Sequence, residues 1–369
     1  MTIQITQNVI NALSGETIIT PEKIVKQIGQ IYDKDSNYIF EIKENITIPT
    51  GKTLKGFKNI VVKPETGDVT INNGGTIEDC IITLNDSSKF YNGNNDEGNI
   101  NNCTITLNDS SKFYNGYYDE GNINNCTITL YDSSKFYNGY YNESNIIGGS
   151  IILNNESKIY NNNSYIFICT ITLNNSSEFY NYNNIINCTI ILYSGSKFYN
   201  YNLNSNSYIF LYDEAILQNY DVGYNDKVYC GILTNSYIIV HDSCKIQNTY
   251  NDESGLFYNT YILKFSDDCT IDSEIEIDKI IIGSDMFILS KLISLYVDKI
   301  VNKLFSQIGL SKNAEELVKR IKLLLSNLPN DMSEQLLNKS SDSTQKLLLL
   351  LLLNKSDSDL TSNINRLLK

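Results

Sequence analysis

The feature that most constrains this chain is a repeat of fixed length. Residues 80–92 read CIITLNDSSKFYN, and near-copies begin at Cys103 and Cys126, each 23 residues after the last. A constant period in the twenties belongs to a chain that stacks small units rather than wrapping one core. Within a copy, Cys103, Ile105 and Leu107 alternate with Thr104 and Thr106. That two-residue period predicts a strand with one buried face, not a helix. Each copy therefore reads as one coil of a parallel β-helix.

The register extends well past the obvious copies. Leu84, Leu107, Leu130, Leu153, Leu173, Leu192, Leu211, Val240 and Phe265 form one series. Six residues after each stands another large apolar residue: Phe90, Phe113, Phe136, Ile159, Phe179, Phe198, Leu217, Ile246 and Ile271. Two before each leucine comes Ile82, Ile105, Ile128 and their successors to Leu263; four after it only small residues occur, from Ser88 to Cys244 and Cys269. Aliphatic layers and a small-residue corner would fill a solenoid interior.

Eight residues after the leucine lies a row of amides: Asn92, Asn115, Asn138, Asn161, Asn181, Asn200, Asn219 and Asn248. Pointing inward at a turn, each can bond the amide of the next coil and satisfy buried backbone groups. Here the chain resembles the right-handed parallel β-helix superfamily, the fold of pectate lyases, phage tailspikes and many adhesins. The resemblance covers about two thirds of the chain and implies a mainly β fold of about nine to eleven coils. It carries no particular activity with it.

Composition narrows the function classes. A net charge of −13 argues against nucleic acid or an anionic membrane as partner. Arginine occurs only at 320 and 366, outside the repeats. Cys80, Cys103, Cys126, Cys169 and Cys188 share one inward register beside isoleucine and leucine, which predicts buried free thiols rather than disulfides. The opening residues MTIQITQNVINALSGE lack the basic start and apolar stretch of a secretory signal, so synthesis without general secretion is expected.

Three regions follow: an N-terminal cap over 1–44, the β-helix over 45–283, and an α-helical region over 284–369. In the cap, Thr20-Pro21-Glu22 predicts a helix start, with Ile24, Val25, Ile28 and Ile31 as its apolar stripe. Coil lengths vary between 19 and 29 residues while the core segment stays constant, which puts the variation in one connecting loop. After Ser284 the period becomes helical, with Leu289, Leu292, Ile293, Tyr296, Ile300, Leu304 and Ile308 on one face. This surplus of apolar surface is expected to be covered by a homo-oligomer, by docking onto a larger assembly, or by folding back as a cap. The leucine run 347–353 is too short to span a bilayer, so no membrane span is expected.

Outward positions also stack. Lys89, Lys112, Lys135, Lys158, Glu178 and Lys197 form one row, and two residues on come Tyr91, Tyr114, Tyr137, Tyr160, Tyr180 and Tyr199. Coils lie roughly 4.8 Å apart, so the tyrosines predict a continuous aromatic strip beside ammonium groups. Such a strip either stiffens an exposed sheet or forms a platform for a glycan or protein ligand. An acidic row, Asp86, Asp109 and Asp132 joined by Asp213, Asp242 and Asp267, is explained by water and turn-capping at least as well as by a cation held between like charges. Catalysis has little support: the polysaccharide-processing relatives of this fold use arginine or clustered acidic groups, whereas the repeats have no arginine and one histidine, His241. No metal or cofactor is expected. The sequence therefore predicts a non-enzymatic structural or attachment protein, and the analogy with tailspikes and adhesins implies a component of a virion or particle surface; the alternative is a carbohydrate-active lyase or glycosidase.

Overall fold

A computed structural model describes residues 1–224, 227–230, 232–240, 243–249, 256–258, 260–264, 268–271 and 279–282. The fold is a parallel β-solenoid. Each full coil has three strand runs. The leucine-register strands (Ile81–Leu84, Thr104–Leu107 and their successors) stack in parallel, Ile105 on Ile82 and Ile128 on Ile105. After a tight corner the strands Lys89–Asn92, Lys112–Asn115 and Lys135–Asn138 make a second stack with Phe90, Phe113 and Phe136 in register. The third run lies in the presumed connecting loop: Gly98–Asn101 pairs with Thr76–Glu78 and with Gly121–Leu130, aligning Ile77, Ile100 and Ile123.

All three runs turn apolar rows inward, the leucine-register run two and each of the others one. The Ile, Leu and Phe rows are essentially fully buried, and Phe90, Phe113 and Phe136 stack with centroids 4.7 and 4.9 Å apart. Alternation drives this, because strand side chains point to opposite faces and only one set can leave water. The third row continues through Ile146, Ile166 and Ile185 to Asn204 and Leu233. The loop preceding that run absorbs the changes in coil length. From ladder asparagine to third-row residue the interval is eight residues for Asn92 to Ile100, five for Asn161 to Ile166, four for Asn181 to Ile185 and fourteen for Asn219 to Leu233.

The amide row is a continuous ladder, and it begins one coil earlier than the sequence suggests, at Asn73. Nδ2 of each residue donates to Oδ1 of the next from Asn73 through Asn92, Asn115, Asn138, Asn161, Asn181 and Asn200 to Asn219, at 2.7–2.9 Å. The described part of Asn248 pairs by backbone with Asn219. Gly98 and Gly121 follow the ladder closely; a Cβ there would stand 2.4 and 2.5 Å from the Oδ1 atoms of Asn92 and Asn115.

Corners explain two other residue choices. Asp86, Asp109, Asp132, Asn155, Asn175, Ser194 and Asp213 all have φ between 50° and 57°, the left-handed region that Asp and Asn tolerate best. The acidic row is thus a series of turn residues, as expected. A second left-handed corner precedes the cysteines, at Asp79, Asn102, Asn125, Asn187 and Asn206. The cysteines themselves are buried and unpaired by disulfide. Their sulfurs accept backbone N–H groups from the preceding coil, Cys80 N to Cys103 Sγ at 3.4 Å and Cys103 N to Cys126 Sγ at 3.3 Å. Ser207 and Ser236 take over the position further along, with Cys188 N to Ser207 Oγ at 3.3 Å. Small polarizable acceptors suit a corner where a buried N–H would otherwise be orphaned.

Three details depart from the sequence reading. Residues 1–44 contain two short helices, Gln7–Ala12 and Pro21–Gln27, but also strands Thr2–Gln4, Ile18–Ile19 and Ile39–Ile42 that pair with the next coils. Thr20 does cap its helix, accepting from Lys23 N, and Ile24 and Val25 are buried. Ile28 and Ile31, however, are exposed, because the helix ends at Gln27 and Gly29 at φ 76° turns the chain away. In the last described coil Ile238 pairs with Ile262 and Val240 with Lys264, one residue before the expected Leu263 and Phe265. The interval from Lys264 to Ile271 is one residue longer than that from Val240 to Ile246, and Ile271 regains register with Ile246. Phe265, His241, Asp242, Asp267 and the whole region 284–369 lie outside the described residues.

Candidate functional site

The outer face of the second strand stack carries the densest chemistry among the described residues. Each strand there alternates an inward Phe or Ile and Asn with an outward Lys and Tyr, so identical rungs place identical side chains above one another. Tyr91, Tyr114, Tyr137, Tyr160, Tyr180 and Tyr199 are neighbours in register. Their ring centroids lie 4.8, 4.9, 4.9, 5.0 and 4.7 Å apart, with the planes within 21° of parallel. Asn72 precedes the strip and Gln218 follows it in the same register.

The strip is wider than the sequence suggests. Tyr117 and Tyr140, from the loops after Asn115 and Asn138, stack on each other at 5.4 Å and meet the strip edge to face, Tyr117 against Tyr91 at 4.6 Å and Tyr140 against Tyr137 at 5.4 Å. Outside them Tyr118 and Tyr141 stack at 5.6 Å, each 57% exposed. Alternating parallel and perpendicular contacts satisfy the ring quadrupoles in both directions. The repeated Gly-Tyr-Tyr after the ladder asparagine was the available signal; Gly116 and Gly139, with φ 71° and 69°, turn these rings back over the sheet. A Cβ at Gly116 would come within 2.0 Å of Ser144 Oγ, so the turn also depends on a bare backbone.

Electrostatics along the strip is uneven. Burial, followed by the charge neighbouring phenolates would carry, pushes the Tyr137 hydroxyl up to about 12, and Tyr114 shifts the same way. Burial first, with the Tyr118 hydrogen bond next, takes Tyr117 to about 12. At the far end Tyr180 Oη donates to Glu178 Oε2 at 2.7 Å, and Lys158 pairs with the same carboxylate at 2.6 Å while its Nζ lies 6.0 Å from the Tyr180 ring centre. Burial works to raise the Glu178 carboxyl, but the Lys158 and Tyr180 bonds outweigh it and hold it below its ordinary value. Lys89, Lys112 and Lys135 occupy the lysine row beside Tyr91, Tyr114 and Tyr137, all partly exposed.

The threonine face is less regular. Thr83, Thr106 and Thr129 are in register, but Ile152 takes the next place in that row and Ile81 the place beside Thr104 in the adjacent one. Among the described residues no helix is long and apolar enough to cross a membrane. No family model, no curated protein and no solved structure matches this chain.

Proposed function

We propose that this chain is a non-enzymatic structural or attachment protein, and that its tyrosine-covered face binds a glycan or protein partner. The stacked strip of six tyrosines, broadened by Tyr117, Tyr118, Tyr140 and Tyr141, is the observation that supports this reading. Tyrosine offers a large contact area with few rotatable bonds, and here stacking has already fixed the rings, so little entropy remains to be lost on binding. The resemblance to tailspikes and adhesins extends the proposal to a component of a virion or other particle surface. The absence of arginine from the repeats speaks against a carbohydrate-active enzyme of the kind found in this fold.

A panel of immobilised glycans and candidate proteins, probed with the full chain and with a Tyr114→Ala/Tyr137→Ala variant, tests the reading. The expected result is retention that the double variant weakens at least about tenfold, in keeping with loss of central aromatic anchors. A reducing-sugar assay run beside it should show no turnover. Retention unchanged in the variant overturns the assignment of the face, and reducing sugar released by the wild-type chain overturns the non-enzymatic assignment.

A further inference from the structure

The lysine row beside the strip is not uniformly paired. Lys89 is held by Asp68, Lys158 by Glu178, and Lys197 lies 3.9 Å from the same Glu178 carboxylate. Lys112 and Lys135 sit on the two rungs between, and among the described residues neither has a carboxylate within ion-pair distance. They stand one rung apart, on the face that carries Tyr114 and Tyr137 two residues on. The strip therefore contains one interval in which two neighbouring ammonium groups form no ion pair; Asp68, already bonded to Lys89, acts on Lys112 only through space, and the chain's net charge is −13. Stacked like charges repel, and an anion spanning both rungs would relieve that repulsion. The interval coincides with the widest part of the aromatic surface, where Tyr117 and Tyr140 join the strip.

We propose that this interval seats a sulfated polysaccharide, with sulfate esters on Lys112 and Lys135 and sugar rings lying along Tyr114 and Tyr137. The proposal rests on the reading of this face as a binding surface and names the class of its ligand. Sulfate is chosen over carboxylate because a sulfate ester offers three clustered oxygens, enough to bridge two ammonium groups that each carry three freely rotating N–H donors. The repeats lack arginine, whose planar fork would grip carboxylate and sulfate alike, so lysine carries the charge recognition here. The tyrosine hydroxyls add neutral donors, since burial and their neighbours hold Tyr114 and Tyr137 protonated. The ring faces accept the apolar side of a pyranose. A chain of overall negative charge repels a polyanion at long range, so attraction is confined to this interval and depends strongly on salt.

Binding of the full chain to three probes tests this: a heparin-derived oligosaccharide, an oligogalacturonate that carries carboxylates only, and a neutral cello-oligosaccharide. Only the heparin fragment should bind tightly, and its affinity should fall as ionic strength rises from about 0.15 to 1 M, where the long-range repulsion is already screened and the Debye length, shortening from about 8 to 3 Å, weakens the local contacts themselves. The Lys112→Gln/Lys135→Gln variant should lose at least about tenfold in affinity, whereas Lys34→Gln/Lys63→Gln, which removes equal charge away from the strip, should lose little. Both pairs of positions are solvent-facing, so circular dichroism should report the same fold, and the salt titration of the wild-type chain gives an independent readout. Equal binding of the neutral or carboxylate probe, or unchanged affinity in Lys112→Gln/Lys135→Gln, overturns the sulfate assignment and leaves the binding face standing. Failure of all three probes overturns the sulfate assignment too. If the glycan and protein panel is also blank for the folded chain, the binding reading falls with it.

Discussion

Asn138, Asn125 and Asn204 are one residue type in three environments, and the differences are physical. Asn138 is buried, accepts at Oδ1 from Asn115 and donates to Asn161, so burial costs it no hydrogen bond. Each such net bond contributes about 0.5–1.5 kcal/mol, and removing one partner leaves the other unsatisfied at larger cost. Asn125 stands at φ 53° in a corner, where a β-branched residue would be strained. Ile168 occupies the equivalent corner at φ 55° and 53% exposure, without an evident compensation. Asn204 is different from both. It is fully buried in the isoleucine row between Ile185 and Leu233, and neither its Oδ1 nor its Nδ2 has a hydrogen-bond partner in the protein. Replacing it with an apolar residue of similar size removes an unsatisfied amide and continues the row, so Asn204→Val should raise unfolding stability by about 1–3 kcal/mol. Urea unfolding followed by circular dichroism measures this through the transition midpoint. A midpoint that falls would mean the amide is satisfied through solvent.

At the scale of elements, the tyrosine stack should titrate as a group that resists ionisation. Burial, then charge from neighbouring rings, raises Tyr137 to about 12 and moves Tyr114 upward; burial also raises Tyr91, Tyr160 and Tyr199, where Asp68 or Glu178 adds to it and Lys89 or Lys158 opposes it, while an unfolded chain ionises its tyrosines near 10. For an acid whose folded value is raised, the folded form binds more protons across the interval, so the stabilisation is present below about 10 and is lost as pH rises toward 12. Difference absorbance near the phenolate band should show these residues ionising later than the tyrosines of the urea-unfolded chain, with unfolding beginning in the same interval. Full ionisation at pH 10 with the solenoid intact would show that the rings are not stacked as described. The stack's existence was legible in the sequence, because a fixed period places Tyr91, Tyr114 and Tyr137 on one line once the strand alternation is known. Its width was not, since Tyr117 and Tyr140 reach it only through a glycine turn whose direction the sequence does not specify. The third strand run was hidden for a related reason: Gly98–Asn101 has one large inward residue, Ile100, set among Gly and Asn, and reads as loop until its pairing with Thr76–Glu78 is seen. The pairing of Lys89 with Asp68, which leaves Lys112 and Lys135 distinct, joins residues on adjacent coils and has no periodic signature at all.

For the molecule as a whole, the controlling fact is that each described coil is held mainly by the coils on either side, through in-register strands and one amide bond per rung. Stability of such an array is close to a sum of unit and neighbour terms, so removing one whole unit should subtract without destroying. Deleting residues 103–125 joins Asn102 to Cys126 and brings Lys89 onto Lys135, Phe90 onto Phe136 and Asn92 onto Asn138, with every inward row and the ladder preserved. This shortened chain should keep its β circular dichroism and unfold in one transition at a somewhat lower midpoint. Deleting residues 103–113 has the opposite effect: an odd, partial excision shifts strand register and would turn polar residues into the interior, so the local solenoid should be lost. The comparison separates register from mere length, because the smaller deletion is the more damaging one. It also bears on the proposed ligand, since the full-coil deletion removes Lys112 and Tyr114 while leaving Lys135 and Tyr137 in place. A folded, shortened chain that bound the heparin fragment as tightly as the parent would show that the two lysines do not act together. Loss of fold on removing a complete coil would instead show that the array is not a chain of equivalent neighbours, and that some coil-specific contact, beyond register and ladder, holds it together.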